Sequence, residues 1–126
     1  MKKNQGQSLV EMVIAIGVVL IVIVALVAVT TISVRNASFS RNQVLATRYA
    51  QEAIEKIREY RASVDWNTFT LNCQNPPNLS SISSFFSRTI TCEDNGDSRK
   101  ITVTILWTDA KGTHKSELIT RLTKWK

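Results

Sequence analysis

An uncharged apolar run from Met12 to Val34 is the feature that most constrains how this chain of 126 residues folds. Within the run, the apolar character is interrupted at Gly17, Thr30, Thr31 and Ser33. A helix rises about 1.5 Å per residue, so a helix of this length spans the hydrocarbon core of a bilayer, which is about 30 Å thick. Ordinary secretory signals have a shorter apolar region of about 7–15 residues. The run therefore predicts a transmembrane helix.

Glu11 places a carboxylate at the start of this apolar run. A charge in or next to lipid is costly, so such a residue indicates a functional site whose partner has to be found. A second interpretation is a capping box, in which Ser8 caps the helix and Glu11 bonds back to the Ser8 amide. The spacing of the two residues fits both roles, and the sequence leaves the choice open.

The residues around Glu11 also carry a family resemblance. The segment Lys3–Ala15 is similar to the processing site of type IV pilins and pseudopilins. The resemblance implies that a prepilin peptidase removes residues 1–6 by cutting between Gly6 and Gln7. It also implies that Glu11 neutralises the new Gln7 amine of a neighbouring subunit inside the lipid, where pairing relieves most of the cost of burying each charge.

Two features depart from the common pattern of this family. Its first mature residue is commonly an N-methylated Phe, whereas this chain has Gln7, so methylation of the new N-terminus stays open. Many major pilins have a Pro in the apolar helix, and no Pro precedes Pro76 in this chain. The pattern therefore favours a minor pilin or a pseudopilin over an abundant filament subunit.

The net charge of the chain excludes few classes of binding partner. The net charge is +6, and it falls to +4 if a leader containing Lys2 and Lys3 is removed. No dense basic run stands out, so the composition does not require binding to nucleic acid or acidic lipid. Positive charges also follow the apolar run, at Arg35, Arg41 and Arg48, and charge alone does not orient the helix.

The two cysteines, Cys73 and Cys92, both follow the apolar run. In an exported domain this pair predicts one disulfide, whereas in a reducing compartment the two residues would be buried free thiols. The apolar run and the cleavage motif favour export. They predict a single-pass protein of the cytoplasmic membrane, with its N-terminus inside, that later enters a filament at the cell surface or in the periplasm.

The expected organisation is a leader over residues 1–6, a transmembrane and assembly helix over 7–34, and an extracytoplasmic globular domain over 35–126. The helix itself is expected to run from Ser8 to Arg61. It can continue past the membrane because this segment contains no Pro and, after Gly17, no Gly.

From Ala46 to Tyr60 the helical pattern becomes amphipathic. A stripe of small and apolar residues recurs at helical spacing and predicts the face that packs on a sheet. Its members are Ala46, Tyr49, Ala50, Ala53, Ile57 and Tyr60, with Ile54 at its edge. On the charged face, Glu52 and Lys56 stand in the favourable i,i+4 order and predict an ion pair.

The remaining sequence predicts an irregular connection over 62–86, followed by an antiparallel meander of three strands. The connection is expected to contact the core through Trp66, Phe69 and Leu71. The expected strands are Ser87–Glu93, Lys100–Trp107 and His114–Trp125, joined by turns at Asp94–Asp97 and Asp109–Gly112. In the second strand, Ile101, Val103, Ile105 and Trp107 alternate inward. The predicted fold class is α+β, and this order of elements resembles the pilin fold.

No pattern in the sequence predicts catalysis, a bound metal or another cofactor. His114 is the only histidine and is expected to be solvated. The chain lacks paired carboxylates, metal-ligand spacing and a phosphate-binding glycine loop. Asp94, Asn95 and Asp97 are expected to form a hairpin turn and not a calcium site.

The leading hypothesis is a structural subunit of a type IV pilus-like or type II secretion-like filament. Its expected partners are other pilin or pseudopilin subunits, prepilin peptidase and inner-membrane lipid. An alternative is an exported DNA-binding minor pilin in which bases stack on Trp107 or Trp125. The phosphate contacts would then come from Arg88, Arg99, Lys100, Lys111, Lys115, Arg121 and Lys124. A third hypothesis is a single-span membrane protein that is never processed.

Overall fold

The computed structural model describes the backbone of residues 5–125 and the side chains of residues 8–125. Its elements in chain order are helix α1 (Gln5–Ser63), helix α2 (Trp66–Asn72) and strands β1 (Phe86–Asp94), β2 (Ser98–Asp109) and β3 (Gly112–Thr123). The predicted α+β class is confirmed, with one long N-terminal helix and a three-stranded antiparallel sheet. The predicted leader lysines, Lys2 and Lys3, lie outside the described residues.

Contacts within the chain divide it into two compact units. The first unit ends at Ser40 and, over the described residues, consists of helix α1 alone. The second unit begins at Arg41 and contains the last part of α1, helix α2 and the sheet. All the buried core residues of the described chain belong to the second unit.

Helix α1 is longer at both ends than the predicted segment Ser8–Arg61. At the N-terminal end, Gln5–Gln7 are already helical, so Ser8 lies inside the helix and not at its N-cap. An N-cap residue has a non-helical backbone, and only from that position does its side chain satisfy the free amides of the first turn. The capping-box interpretation of Glu11 is therefore wrong for the full-length chain.

The amphipathic stripe of α1 forms one side of the core, as predicted. Ala46, Ala50, Ala53 and Ile57 are fully buried, and Ile54 nearly so. The stripe joins one cluster with the inward side chains of β2, which are Ile101, Val103, Ile105 and Trp107. Small alanines on the helix leave room for large side chains on the strand, which is how a core of this size fills its space.

The sheet is a meander in the order β1-β2-β3, with both pairings antiparallel. Both predicted turns are present. In the first turn, Asp94 accepts a hydrogen bond from the Gly96 amide at 3.0 Å, and Gly96 has a φ of 73°, which favours glycine. In the second turn, Asp109 accepts from the Lys111 amide at 2.7 Å, directly before Gly112 with its φ of 125°.

The strands differ from the predicted bounds mainly at the end of the chain. Strands β1 and β2 extend beyond the predicted segments at both ends. Strand β3 begins at Gly112 and ends at Thr123, so Trp125 lies outside the sheet and is 73% exposed. The Lys124 amide instead donates to the carbonyl of Asp97 at 2.8 Å, which ties the chain end to the first turn.

The predicted irregular connection contains a short helix, so that part of the prediction is wrong. Helix α2 starts after Asp65, whose carboxylate accepts hydrogen bonds from the amide and the hydroxyl of Thr68. These bonds lower the pKa of Asp65. Phe69 is fully buried as predicted, but Leu71 is 83% exposed and does not join the core. Helix α2 has seven residues, which are too few for the apolar positions to show the helical period in the sequence. This is why the sequence predicted an irregular connection here.

A disulfide joins Cys73, just after α2, to Cys92 on β1, as predicted from the sequence. The two Cα atoms are 6.4 Å apart, and the residues are 19 positions apart in the chain. Cys73 is also part of the buried core. The bond therefore fastens the connection after α2 to the edge strand of the sheet.

We expect the double substitution Cys73→Ser/Cys92→Ser to lower the free energy of unfolding by about 3 kcal/mol, because the crosslink restricts the unfolded chain. Chemical denaturation of the full-length chain in detergent measures this change. Mass spectrometry of alkylated, non-reduced protein from its native envelope checks the bond directly. Two alkylated cysteines in that sample would show that the disulfide does not form there.

Phe69 and Leu71 offer a matched pair within α2. We expect Phe69→Ala to lower the free energy of unfolding by about 3–5 kcal/mol, because it empties a fully buried site. Leu71→Ala removes an exposed side chain and should change it by less than about 0.5 kcal/mol. Denaturation of the two variants side by side gives the comparison, and similar losses would contradict the packing of α2.

Candidate functional site

The first unit presents an apolar surface on every side of its helix. Over Leu9–Val34, all the Val, Leu, Ile and Met side chains are at least half exposed. The hydroxyls of Thr30 and Thr31 donate to the carbonyls of Leu26 and Val27, at 2.8 and 2.9 Å, so these polar groups are satisfied inside the helix. A continuous apolar surface of this extent is a site for lipid or for other proteins.

Within the described chain, one helix is long and apolar enough to cross a membrane. Its most apolar stretch is not buried at all by the rest of the protein. The long core helix of a soluble protein would be covered by its own chain. Length, composition and exposure together fit a membrane anchor.

Glu11 lies one helical turn beyond Gln7, and its side chain is exposed. From Ser8 to Ser40 the only cationic side chain is Arg35, 24 positions beyond Glu11. No side chain in this segment therefore neutralises the carboxylate.

The predicted DNA-binding surface is largely occupied by local contacts. Trp107 is 2% exposed and lies in the core, so its predicted role as a stacking platform is wrong. Arg88 donates to the carbonyl of Ser80 at 2.6 Å, and burial lowers the pKa of its guanidinium. Three further cations form ion pairs, which are Arg99 with Asp94 (3.3 Å), Lys100 with Glu93 (2.9 Å) and Lys115 with Glu117 (3.3 Å).

The remaining predicted cations are Lys111, Arg121 and Lys124, which form no ion pair with the residues that the structure describes. The ammonium group of Lys124 lies 5.7 Å from the ring centroid of the exposed Trp125. Within the described residues of the predicted DNA-binding surface, Trp125 and Lys124 are therefore the remaining pair of an exposed aromatic ring and a cation.

His114 is half-buried, so the prediction of a solvated histidine is wrong. Its Nε2 lies 2.9 Å from Oδ1 of Asp109, and its ring centroid lies 5.5 Å from that of Trp107. The contact lowers the pKa of Asp109, so the stability it adds is present above the carboxyl's unfolded pKa and is lost as the pH falls through the folded value. Both residues help to close the β2–β3 hairpin.

Arg61 joins three parts of the second unit, a role that the sequence does not reveal. Its guanidinium lies 5.2 Å from the ring centroid of Trp66 and 5.9 Å from that of Phe69. The same group donates to the carbonyls of Thr123 at 3.3 Å and Lys124 at 2.6 Å. Arg61 is buried, and its guanidinium donates to backbone carbonyls at the point where β3 ends.

The charged face of α1 pairs differently from the prediction. Lys56 bonds Glu59 at 2.8 Å instead of Glu52, and this bond raises the pKa of Lys56. Glu52 accepts a hydrogen bond from the hydroxyl of Ser80, which lies in the connection before β1. A residue distant in sequence has thus taken the place of the predicted i,i+4 partner.

The described residues contain no group of three or more His, Cys, Asp or Glu side chains placed to hold a metal ion. In the first turn, Asp94 accepts from the Gly96 amide and pairs with Arg99. Its carboxylate oxygens are therefore used by the hairpin.

Comparison with protein families finds a match over residues 1–27 to the prokaryotic N-terminal methylation motif. This motif is the signature of type IV prepilins, so the predicted resemblance is confirmed for this segment, which includes Gly6, Gln7 and Glu11. No curated protein and no solved structure matches the chain. The N-terminal segment is therefore prepilin-like, and such proteins are structural and not catalytic.

Proposed function

We propose that this chain is a structural subunit of a type IV pilus-like or type II secretion-like filament. A prepilin peptidase cleaves it between Gly6 and Gln7, and the mature chain assembles with other subunits through α1. The observation that carries the proposal is the prepilin motif at residues 1–27, followed by a helix whose apolar surface its own chain leaves exposed.

Assembly through α1 would cover the apolar surface that the first unit leaves exposed. Before assembly, lipid covers the apolar side chains of Leu9–Val34, and during assembly neighbouring helices replace the lipid. Glu11 then needs a positive charge in a medium that solvates ions poorly, and no side chain of residues 8–40 supplies one nearby. Cleavage creates that charge, because the new α-amine of Gln7 is a cation at the same end of the helix.

The proposed topology has residues 1–6 in the cytoplasm, 7–34 in the membrane and 35–126 outside. The disulfide between Cys73 and Cys92 supports this orientation, because disulfides persist in oxidising compartments and are rare in the cytoplasm. The assembled subunit would lie in a filament at the cell surface or in the periplasm.

Experiments can distinguish two alternative functions from that of a filament subunit. A DNA-binding minor pilin is supported by the exposed Trp125 beside Lys124, although most of the other predicted contacts are occupied. A single-span protein that is never processed would keep Met1 in the native membrane. Sequencing the N-terminus of the native protein separates this last case from the filament subunit, which begins at Gln7.

We expect Gly6→Val to accumulate as the full-length membrane form. The peptidase has to admit bare backbone at this position, and a β-branched side chain would crowd its pocket. Immunoblotting of membranes from cells that contain the peptidase measures the ratio of precursor to mature chain. Gly6→Ala is the graded control and should be cleaved more slowly than wild type but faster than Gly6→Val. Maturation of Gly6→Val at the normal rate would contradict the assigned site.

We expect Glu11→Gln to give a cleaved, folded, membrane-resident subunit that fails to co-purify with other pilins. The substitution removes the carboxylate charge but keeps its size, and it leaves the Gln7 ammonium without a counterion in lipid. Breaking a buried ion pair costs about 3–5 kcal/mol. Glu11→Asp keeps the charge and should retain part of the assembly. Normal incorporation of Glu11→Gln would remove the main electrostatic support for the proposal.

A further inference from the structure

The second unit has a cleft at the end of the sheet where β2 leads into the β2–β3 turn. This hairpin cleft has a volume of about 450 Å³. Its wall includes the ring of Phe85, which is 46% exposed, and the side chain of Leu106. Its hydroxyl-bearing residues are Ser84, Ser87, Thr108 and Thr113. An apolar wall with a few convergent polar groups is the usual composition of a ligand site.

Two exposed lysines lie beside the hairpin cleft. Lys115 is paired with Leu106 across the β2–β3 ladder, so it is the direct neighbour of a residue that lines the cleft. Lys111 lies in the β2–β3 turn and forms no ion pair with the residues that the structure describes. Lys115 pairs with Glu117 at 3.3 Å, and exposed pairs of this kind contribute little to stability. Both ammonium groups are therefore available to an anion in the cleft.

Contacts within the second unit place the hairpin cleft at the end where α1 enters that unit. The hydroxyls of Thr47 on α1 and Ser116 on β3 are 3.3 Å apart, and further along both elements Arg61 bonds the carbonyl of Thr123. Strand β3 therefore runs in the same direction as α1, since the two intervening segments both span about 21–23 Å. Before Ser116, the strand extends back by about 13 Å to the turn. Before Thr47, α1 extends back by about 9 Å to Arg41, where the unit begins.

The same end of the unit is joined directly to the segment that can cross a membrane. The apolar run ends at Val34, and the same helix reaches Arg41 after about 10 Å. This length is comparable to the headgroup layer on one side of a bilayer, which is about 5–8 Å thick. The charges near this junction are cationic, because Arg35 and Arg41 follow the run and no acidic residue occurs between Glu11 and Glu52. The covalent connection therefore keeps a cationic end of the unit near the membrane surface.

We infer that the hairpin cleft binds the headgroup of an anionic phospholipid in the membrane that α1 crosses. The inference rests on the topology in the proposed function, which has residues 35–126 outside. The lipid phosphate accepts hydrogen bonds from the ammonium groups of Lys111 and Lys115, and the glycerol lies against Phe85 and Leu106. Attraction of lysines to anionic lipid falls off within a Debye length, so it needs cations close to the surface. This contact holds the second unit against the membrane until the subunit is assembled.

The charges around the hairpin cleft favour a single headgroup over a nucleic acid. A nucleic acid is bound by cations that follow its backbone over many residues. On the outer face of the sheet, the row next to Leu106 and Lys115 is Thr104 paired with Glu117, which contains no cation. A track of cations therefore does not continue from the cleft along β2 and β3. One phosphate needs no more than the two lysines.

Photocrosslinking of the full-length chain in lipid vesicles tests the inference. The vesicles contain equal parts of phosphatidylcholine and phosphatidylglycerol, with a trace of phosphatidylglycerol that carries a photoreactive headgroup. Mass spectrometry locates the label. Within the second unit, we expect it on Ser84–Ser87 and Leu106–Thr113, and much less of it when the photoreactive lipid is phosphatidylcholine. Label confined to α1, or equal label from the two lipids, would overturn the site.

Removal of the two lysine charges gives the second measurement. We expect Lys111→Gln/Lys115→Gln to lower the label at the cleft at least about tenfold, because each cation close to an anionic surface contributes about fivefold to binding. Arg121→Gln/Lys124→Gln removes the same charge from the other end of the sheet and should change the label by less than about twofold. All four side chains are exposed, and circular dichroism checks that both variants are folded. Equal losses in the two variants would reflect net charge alone and would overturn the site.

The outcomes separate the lipid site from the proposed function. If the native chain begins at Gln7 and enters assemblies but the cleft is not labelled, the lipid site is overturned and the filament function stands. If the cleft is labelled but the native chain keeps Met1 and forms no assemblies, the filament function is overturned and the lipid site stands. Loss of label in inorganic phosphate, but not in sodium chloride of the same ionic strength, would show that the cleft takes free phosphate and would overturn the lipid assignment.

Discussion

The packing of the alanine stripe of α1 against strand β2 is the contact on which the second unit depends. Ala46, Ala50 and Ala53 have little side chain to bury, so the space above them is filled from the sheet by Ile105, Trp107 and their neighbours. The other parts of the unit are fastened around this core by specific contacts. The side chain of Phe69 anchors α2, and Arg61, the disulfide and the two hairpin turns hold the remaining segments.

In the first unit, the apolar surface of the same helix is exposed, and nothing in the described chain covers it. Burial of apolar area drives folding, so a helix that stays apolar and exposed indicates that its partner is outside the chain. The prepilin motif at residues 1–27 stands at the start of this helix. Under the proposed function, a peptidase cut within that motif creates a cationic amine at Gln7, which is the proposed partner of Glu11.

Local partners decide which charges of the second unit remain available to other molecules. Five cations bond to neighbours within the chain, and all but Lys56 belong to the surface of the DNA-binding hypothesis; they are Lys56, Arg88, Arg99, Lys100 and Lys115. The exposed cations Arg41 and Arg48 lie elsewhere, on the outer face of α1. Net charge is therefore a poor guide to binding here, and the arrangement of paired and unpaired groups is a better one.

The sequence by itself determined the elements whose signals are local. The apolar run, the prepilin motif, the alanine stripe and the two glycine turns each lie within one short segment and follow from helical period or turn chemistry. The sequence could not determine contacts between segments. The helix α2 is too short to show a period, and the burial of Trp107 beside His114 depends on how the hairpin packs. Glu52 bonds Ser80, and Arg61 bonds the end of β3, because folding brings together residues that are far apart in the chain. Only the tertiary structure decided these contacts, since side-chain pairing follows distance in space and not distance in sequence.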